Sequence, residues 1–180
     1  MARAKNIPND PRRPERILQA TMDILQDHGV AGVSARAVAA RAEVPLSSVS
    51  YHFPSVRDLL LEASRRVAAL RTEGLQAWSA EISAETIVHR LAEQIHTQIT
   101  TGRALTVIAY ELYILGLRDE AFRSVSLSVS DALRAALAVH LDPEVAARLA
   151  ATADGLQLNS LLASHPPTVD QLHTVLRSQG

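Results

Sequence analysis

A chain of 180 residues, 47% hydrophobic and 21% charged, is long enough for one domain or two small ones around a real core, and it should fold. It has no cysteine, which excludes a disulfide framework, a zinc finger and thiolate chemistry. The net charge of −1 favours no partner by itself, but the charge is unevenly spread. Up to Arg57 eight Lys/Arg stand against five acids, a balance of +3, and the remainder carries −4, so the front of the chain is the part suited to a polyanion.

The longest near-apolar run, Ala104 to Leu117, is broken by Glu111 and is too short for a bilayer, which takes ~20 residues. The basic start "MARAKNIPNDPRRPER" has no apolar signal core behind it. The expectation is a soluble, cytoplasmic protein without a membrane partner.

Helical periodicity dominates, and alternation of period two is sustained nowhere, so the fold class expected is all-α. Residues 1–12 read as a flexible basic arm. From Arg13 to His28, Ile17, Thr21, Ile24, Leu25 and His28 recur at helical spacing, and Gly29 stops the helix. Ser34 can cap a second, short helix with Val38 and Ala39 facing inward. A turn lies near Glu43 to Pro45, because the residue before a proline avoids the helical region.

A third helix follows over Leu46 to His52, "LSSVSYH". Val49 and Phe53 share one face of it, while Ser47, Ser48, Tyr51 and His52 fall on the other. Two short helices joined by a tight turn, behind a longer one, form a helix-turn-helix, whose second helix lies in the DNA major groove. Short hydroxyl side chains let that helix approach base edges closely, and serine can donate or accept at either type of base pair.

Beyond Asp58 the chain reads as a helical bundle. "SVRD" (Ser55 to Asp58) resembles a capping box opening a helix from Val56 to about Trp78. Ser83 and Gly102 bracket a fifth helix, Arg103 to Gly116 form a nearly all-apolar sixth, and Asp119 starts a seventh. Asp142 with Pro143 starts an eighth, reaching about Ser164, and Thr168 with Gln171 starts another. The Pro143 helix carries apolar or small residues around most of its circumference, which implies a second burial partner.

The run "ILQATMDILQDHGVAGVSARAVAARAEVPLSSVSYHFPSVRDLLLEA" resembles the DNA-binding domain of the TetR family of bacterial transcriptional regulators. The match runs in order through a helix, a glycine near the first turn, a Ser cap, a short helix, an "AxV" turn, an aromatic pair and an "LL" helix start. It covers about a quarter of the chain. The resemblance implies a three-helix DNA-binding domain over residues 13–57 and a helical domain over 58–180 for ligand binding and dimerisation. It implies a homodimeric repressor, not an enzyme and without a cofactor, released from a roughly palindromic operator in double-stranded DNA by a small-molecule effector. Arg36, Leu46, Ser47, Ser48 and Ser50 then lie where family members touch bases, and Ser34, Tyr51, His52 and the start of the fourth helix lie where they hold phosphates.

The sequence departs from the family pattern at four places. Glu43 stands for the turn glycine, so a non-glycine residue has to take a left-handed conformation. Pro45 stands for a Ser or Thr cap, Pro54 for a glycine, and Val56 for a phosphate-binding lysine, with Arg57 next door as its replacement.

By the same resemblance a pocket in the bundle is expected, with Trp78, His89, His96, Tyr110, Glu111, Tyr113 and Phe122 as candidate lining; each also fits plain core or a solvated face. A rival reading uses His89, Glu93 and His96, at i, i+4 and i+7 on one face, as a metal-binding helical bundle or a metal-sensing regulator. The second Glu-x-x-His such a bundle needs is missing; "DQLH" at Asp170 to His173 is a poor substitute. A Ser48, His52, Asp58 triad lacks an oxyanion loop.

Overall fold

A computed structural model describes residues 10–179, and among them every regular element is helical. The first nine residues, and with them most of the expected arm, lie outside the described part. One compact unit ends at Arg66 and a second begins at Val67.

The first unit comprises α1 (Arg13–His28), α2 (Ala35–Arg41), α3 (Leu46–His52) and the start of α4 (Val56–Ala80). Asp10 prepares the entry to α1: its carboxylate accepts from the Arg12 backbone N–H at 3.0 Å and from Arg16 at 3.3 Å. Those bonds, with the backbone one foremost, hold its pKa below the usual carboxylate value. Gly29 ends the helix at φ 66°, a conformation glycine adopts without cost.

The inward face of α1, with Ile17, Thr21, Ile24 and Leu25, packs with Val38 and Ala39 of α2 and Val49 of α3, all buried. Phe53, which shares the inward face with Val49, is only half-buried, because it sits at the end of α3 where the helix meets solvent. The α2–α3 turn runs through Glu43 at φ 53°. Arg16 braces it, donating to the carbonyls of Ala42 at 2.6 Å and Glu43 at 3.4 Å, so the carbonyls at this strained turn have partners. Arg41 pairs with Asp27 at 2.8 Å and ties α2 to α1.

At the start of α4 the Asp58 N–H donates to Ser55 Oγ at 3.2 Å, as in a capping box. The return contact differs from the expected one: Ser55 Oγ donates to the Asp58 carboxylate at 2.7 Å. Aspartate is one methylene shorter than the Glu or Gln that reaches back to the cap's backbone.

The second unit holds the rest of α4 with α5 (Ile87–Ile99), α6 (Arg103–Leu115), α7 (Glu120–Ala138), α8 (Pro143–Leu162) and α9 (Val169–Arg177). Side-chain caps start three of them: Asp119 accepts from Ala121, Asp142 from Glu144, and Thr168 and Gln171 close a full capping box. α5 packs on α9 and α8, and α7 on α8. The core is built from Leu75 and Trp78 of α4, Leu91, Ile95 and Ile99 of α5, Leu137 of α7, Leu149 and Ala153 of α8, and Leu172 and Leu176 of α9. The C-terminal end of α8 finds a donor in Arg103, which reaches the Leu161 carbonyl at 3.0 Å.

Candidate nucleic-acid interface and effector site

α3 is seven residues long, and burying Val49 completely fixes which way the others face. Ser47, Ser50 and Tyr51 are exposed, Tyr51 to 82%, and Leu46 is exposed as well. The His52 ring stands edge-on to Tyr51, 5.0 Å between centroids. Ser50 Oγ donates back to the Leu46 carbonyl at 3.4 Å, and Ser48 Oγ accepts from Arg13 at 3.5 Å. Ser34 caps α2 by accepting from the Ala37 N–H at 3.2 Å, which leaves its own hydroxyl hydrogen available to donate. Arg36 projects from α2 into solvent, and Arg57, exposed at the start of α4, lies 3.9 Å from the Asp58 carboxylate. The sequence-expected residues of the first unit therefore lie on α2, on α3 and at the start of α4, around one buried anchor, Val49.

The candidates in the second unit do not gather in one place. Trp78 and Phe122 are buried, Trp78 within the apolar core. Tyr113 is 40% exposed, and Glu111 is half-buried. Tyr110 belongs to a polar cluster inside the unit. Its hydroxyl lies 3.1 Å from Gln157 Oε1 and 3.2 Å from the Asp154 carbonyl, either of which can accept its proton. Gln157 is itself buried, its Oε1 also receives Arg71 at 3.5 Å, and its amide nitrogen donates to Gln98. Burial lowers the Arg71 pKa, opposed by Tyr110 and Asp154. Burial raises the Tyr110 and Asp154 pKa values, Tyr110 further through the Asp154 charge, while Arg71 opposes both.

The motif reading missed Arg71 and Gln157. A signal was available: Arg71 stands four and seven residues before the buried Leu75 and Trp78, and Gln157 four from both Ala153 and Leu161. Both are polar residues on apolar helical stripes.

The comparisons with known proteins agree with this geometry. The family model described as bacterial regulatory proteins, tetR family, matches residues 17–63. The model described as tetracyclin repressor-like, C-terminal domain, matches residues 82–179, more than half of the chain. The chain belongs to the TetR family.

Among TetR relatives, the uncharacterized HTH-type transcriptional regulator Rv2912c of Mycobacterium tuberculosis is 28% identical over 137 residues, covering 72% of this chain and 70% of the relative. The multidrug binding protein EbrR, solved with ethidium, is 33% identical with a TM-score of 0.84, covering 96% of this chain and 100% of that one. The TetR-family member SCO1917 of Streptomyces coelicolor A3 is 33% identical with a TM-score of 0.78, over 94% of this chain and 98% of that one. EbrR has also been solved with proflavin and with malachite green. This chain is thus a transcriptional regulator with a TetR-type DNA-binding helix-turn-helix, in a family of regulators and not of enzymes. Among the described residues no helix is long and apolar enough to cross a membrane.

The metal reading of His89, Glu93 and His96 is corrected by the geometry. Glu93 is held by Arg90 at 2.6 Å with His89 at 3.5 Å, whereas His96 Nδ1 lies 3.0 Å from the Pro167 carbonyl. Among the described residues no three His, Asp or Glu side chains come together as a metal set. Helical spacing put the three on one face, where His89 and Glu93 meet, but His96 turns to Pro167 instead.

Proposed function

We propose that this TetR-family chain is a homodimeric repressor in the cytoplasm, held on a roughly palindromic operator and released from it by a small-molecule effector. The observation that carries the reading is α3, where Val49 alone is buried and a hydroxyl-rich face is left to solvent. Short hydroxyl side chains on such a face can come close to the donor and acceptor groups of base edges. In this reading Arg36, Leu46, Ser47, Ser48 and Ser50 meet bases. Ser34, Tyr51, His52 and Arg57 hold phosphates, with Arg57 supplying the charge that Val56 lacks. Residues 13–57 form the reading head, and 58–180 form the effector and dimerisation domain.

The dimer is supported by α8. Its outward side carries Ala151, Leu158 at 43% exposure and Leu162 at 82%, and Val175 of α9 is exposed at 42%. A Cβ added at Gly155, between Ala151 and Leu158, would meet nothing within 4 Å in this chain. A helix interior tolerates such a glycine at about 1 kcal/mol relative to alanine, and close approach of a second helix gives it a reason. Two-fold symmetry would set the reading helices ~34–36 Å apart, one turn of DNA. Effector release is supported by the EbrR complexes and by the polar cluster around Tyr110; an effector that favours another dimer spacing would lower operator affinity.

The test is selection of fragments of the source genome by the purified protein, sequenced after washing at physiological salt. A shared, roughly palindromic site supports the reading. Retention of no fragment, or of all alike, overturns it for the protein as purified.

A further inference from the structure

Arg71, Gln98, Tyr110, Asp154 and Gln157 bring polar groups from α4, α5, α6 and α8 to one place in the second unit. The guanidinium is the least satisfied of them. Of its five N–H donors, the bond to Gln157 Oε1 is long, 3.5 Å, and Gln157 Oε1 is shared with the Tyr110 hydroxyl. Among the described residues no carboxylate comes within salt-bridge distance of Arg71, and Asp154 acts on it only through the longer-range field. Arg71 is half-buried, and a partly desolvated cation without a close counter-ion gains when an anion meets it. The planar fork of arginine suits a carboxylate or similar oxyanion in two-point contact. Leu75, one turn along α4 from Arg71, and Ile99, next to Gln98 on α5, belong to the apolar core of the same unit.

We propose that Arg71 anchors the head group of an amphipathic organic anion, with the Tyr110 proton turning from Gln157 to the anion as a second donor and apolar side chains of the unit meeting the body. The proposal rests on the reading of this unit as an effector domain and names the charge class of the effector. Asp154 acts on Arg71 through the field without closing the fork.

Calorimetric titration of the full-length protein with naphthoate, naphthamide and naphthylmethylammonium varies the head group on one apolar body. The expected order has naphthoate tightest, by about tenfold or more. Arg71→Gln removes that preference, Arg71→Lys keeps part of it, and Asp154→Asn strengthens naphthoate by removing an opposing charge. The last variant provides a second reading should Arg71→Gln fold poorly, which a thermal melt of each variant reveals. Tightest binding of the ammonium probe, equal binding of all three, or a naphthoate affinity indifferent to both substitutions overturns the proposal. Binding of none of the three overturns it as well. Ethidium titrated alongside then separates the two readings: ethidium binding leaves a small-molecule domain with a different ligand class, and its absence counts against the effector reading itself.

Discussion

Glu43 holds φ at 53°, where a Cβ crowds the following carbonyl oxygen at a cost of about 1–2 kcal/mol. The sequence exposes this strain, because glutamate stands in the turn between two short helices; the bracing by Arg16 could not be read there, since its partners lie 26 and 27 positions away. Replacing Glu43 by glycine should raise stability by less than ~1 kcal/mol, the relief being partly offset by the greater freedom of glycine in the unfolded chain. A denaturant melt checks it, and a lower midpoint would mean that the glutamate side chain contributes more than its backbone conformation costs. Two arginines test the proposed division between reading bases and holding phosphates. Arg36→Ala should weaken operator binding by ~1–3 kcal/mol and relax discrimination at one base pair, whereas Arg57→Ala should weaken all sequences alike and reduce the salt slope by about one. Binding measured on specific and scrambled duplexes across a salt series distinguishes them, and equal loss of specificity from both would exchange or remove these roles.

Helix starts were legible because a cap is a local event. Ser34, Asp119, Asp142 and the Thr168–Gln171 pair each act within three residues of their own position, and Thr168→Ala should lower stability by about 1 kcal/mol, read from thermal unfolding. The polar cluster was not legible, because Arg71 meets Gln157 across 86 positions and Tyr110 meets it across 47; only the packing of α4, α6 and α8 makes neighbours of them. Its electrostatics give an alkaline signature. Tyr110 is raised above the ordinary value of 10.0 by burial and then by the Asp154 charge. Above that value an unfolded chain sheds the phenolic proton while the folded one keeps it, so unfolding is increasingly favoured as pH rises. Absorbance titration should show a late-ionising tyrosine that Tyr110→Phe removes, and the same substitution should flatten the loss of stability on the alkaline side. A tyrosine titration unchanged by Tyr110→Phe would place the late phenol elsewhere.

On the scale of the whole molecule, the all-helical class and the two-part organisation followed from periodicity and from the TetR-like run at the front. The metal reading failed because spacing records which face a residue occupies and not where its side chain turns. The outward stripe of α8 is where an assembled state is tested. Leu158→Glu should convert a sedimenting dimer to monomer and reduce operator affinity to that of a single half-site, while circular dichroism stays helical; a dimer that persists moves the interface away from α8. Trp78 offers a last use. It is the single tryptophan of the chain, it lies buried in the second unit's core, and the reading head contains none. Its emission is therefore a one-site optical report on the second unit, with no tryptophan background from the first. Ligand titrations can be followed by it without a label. Should operator DNA alone shift its wavelength, that shift would register, at a single indole ring, a message sent from the first domain to the second.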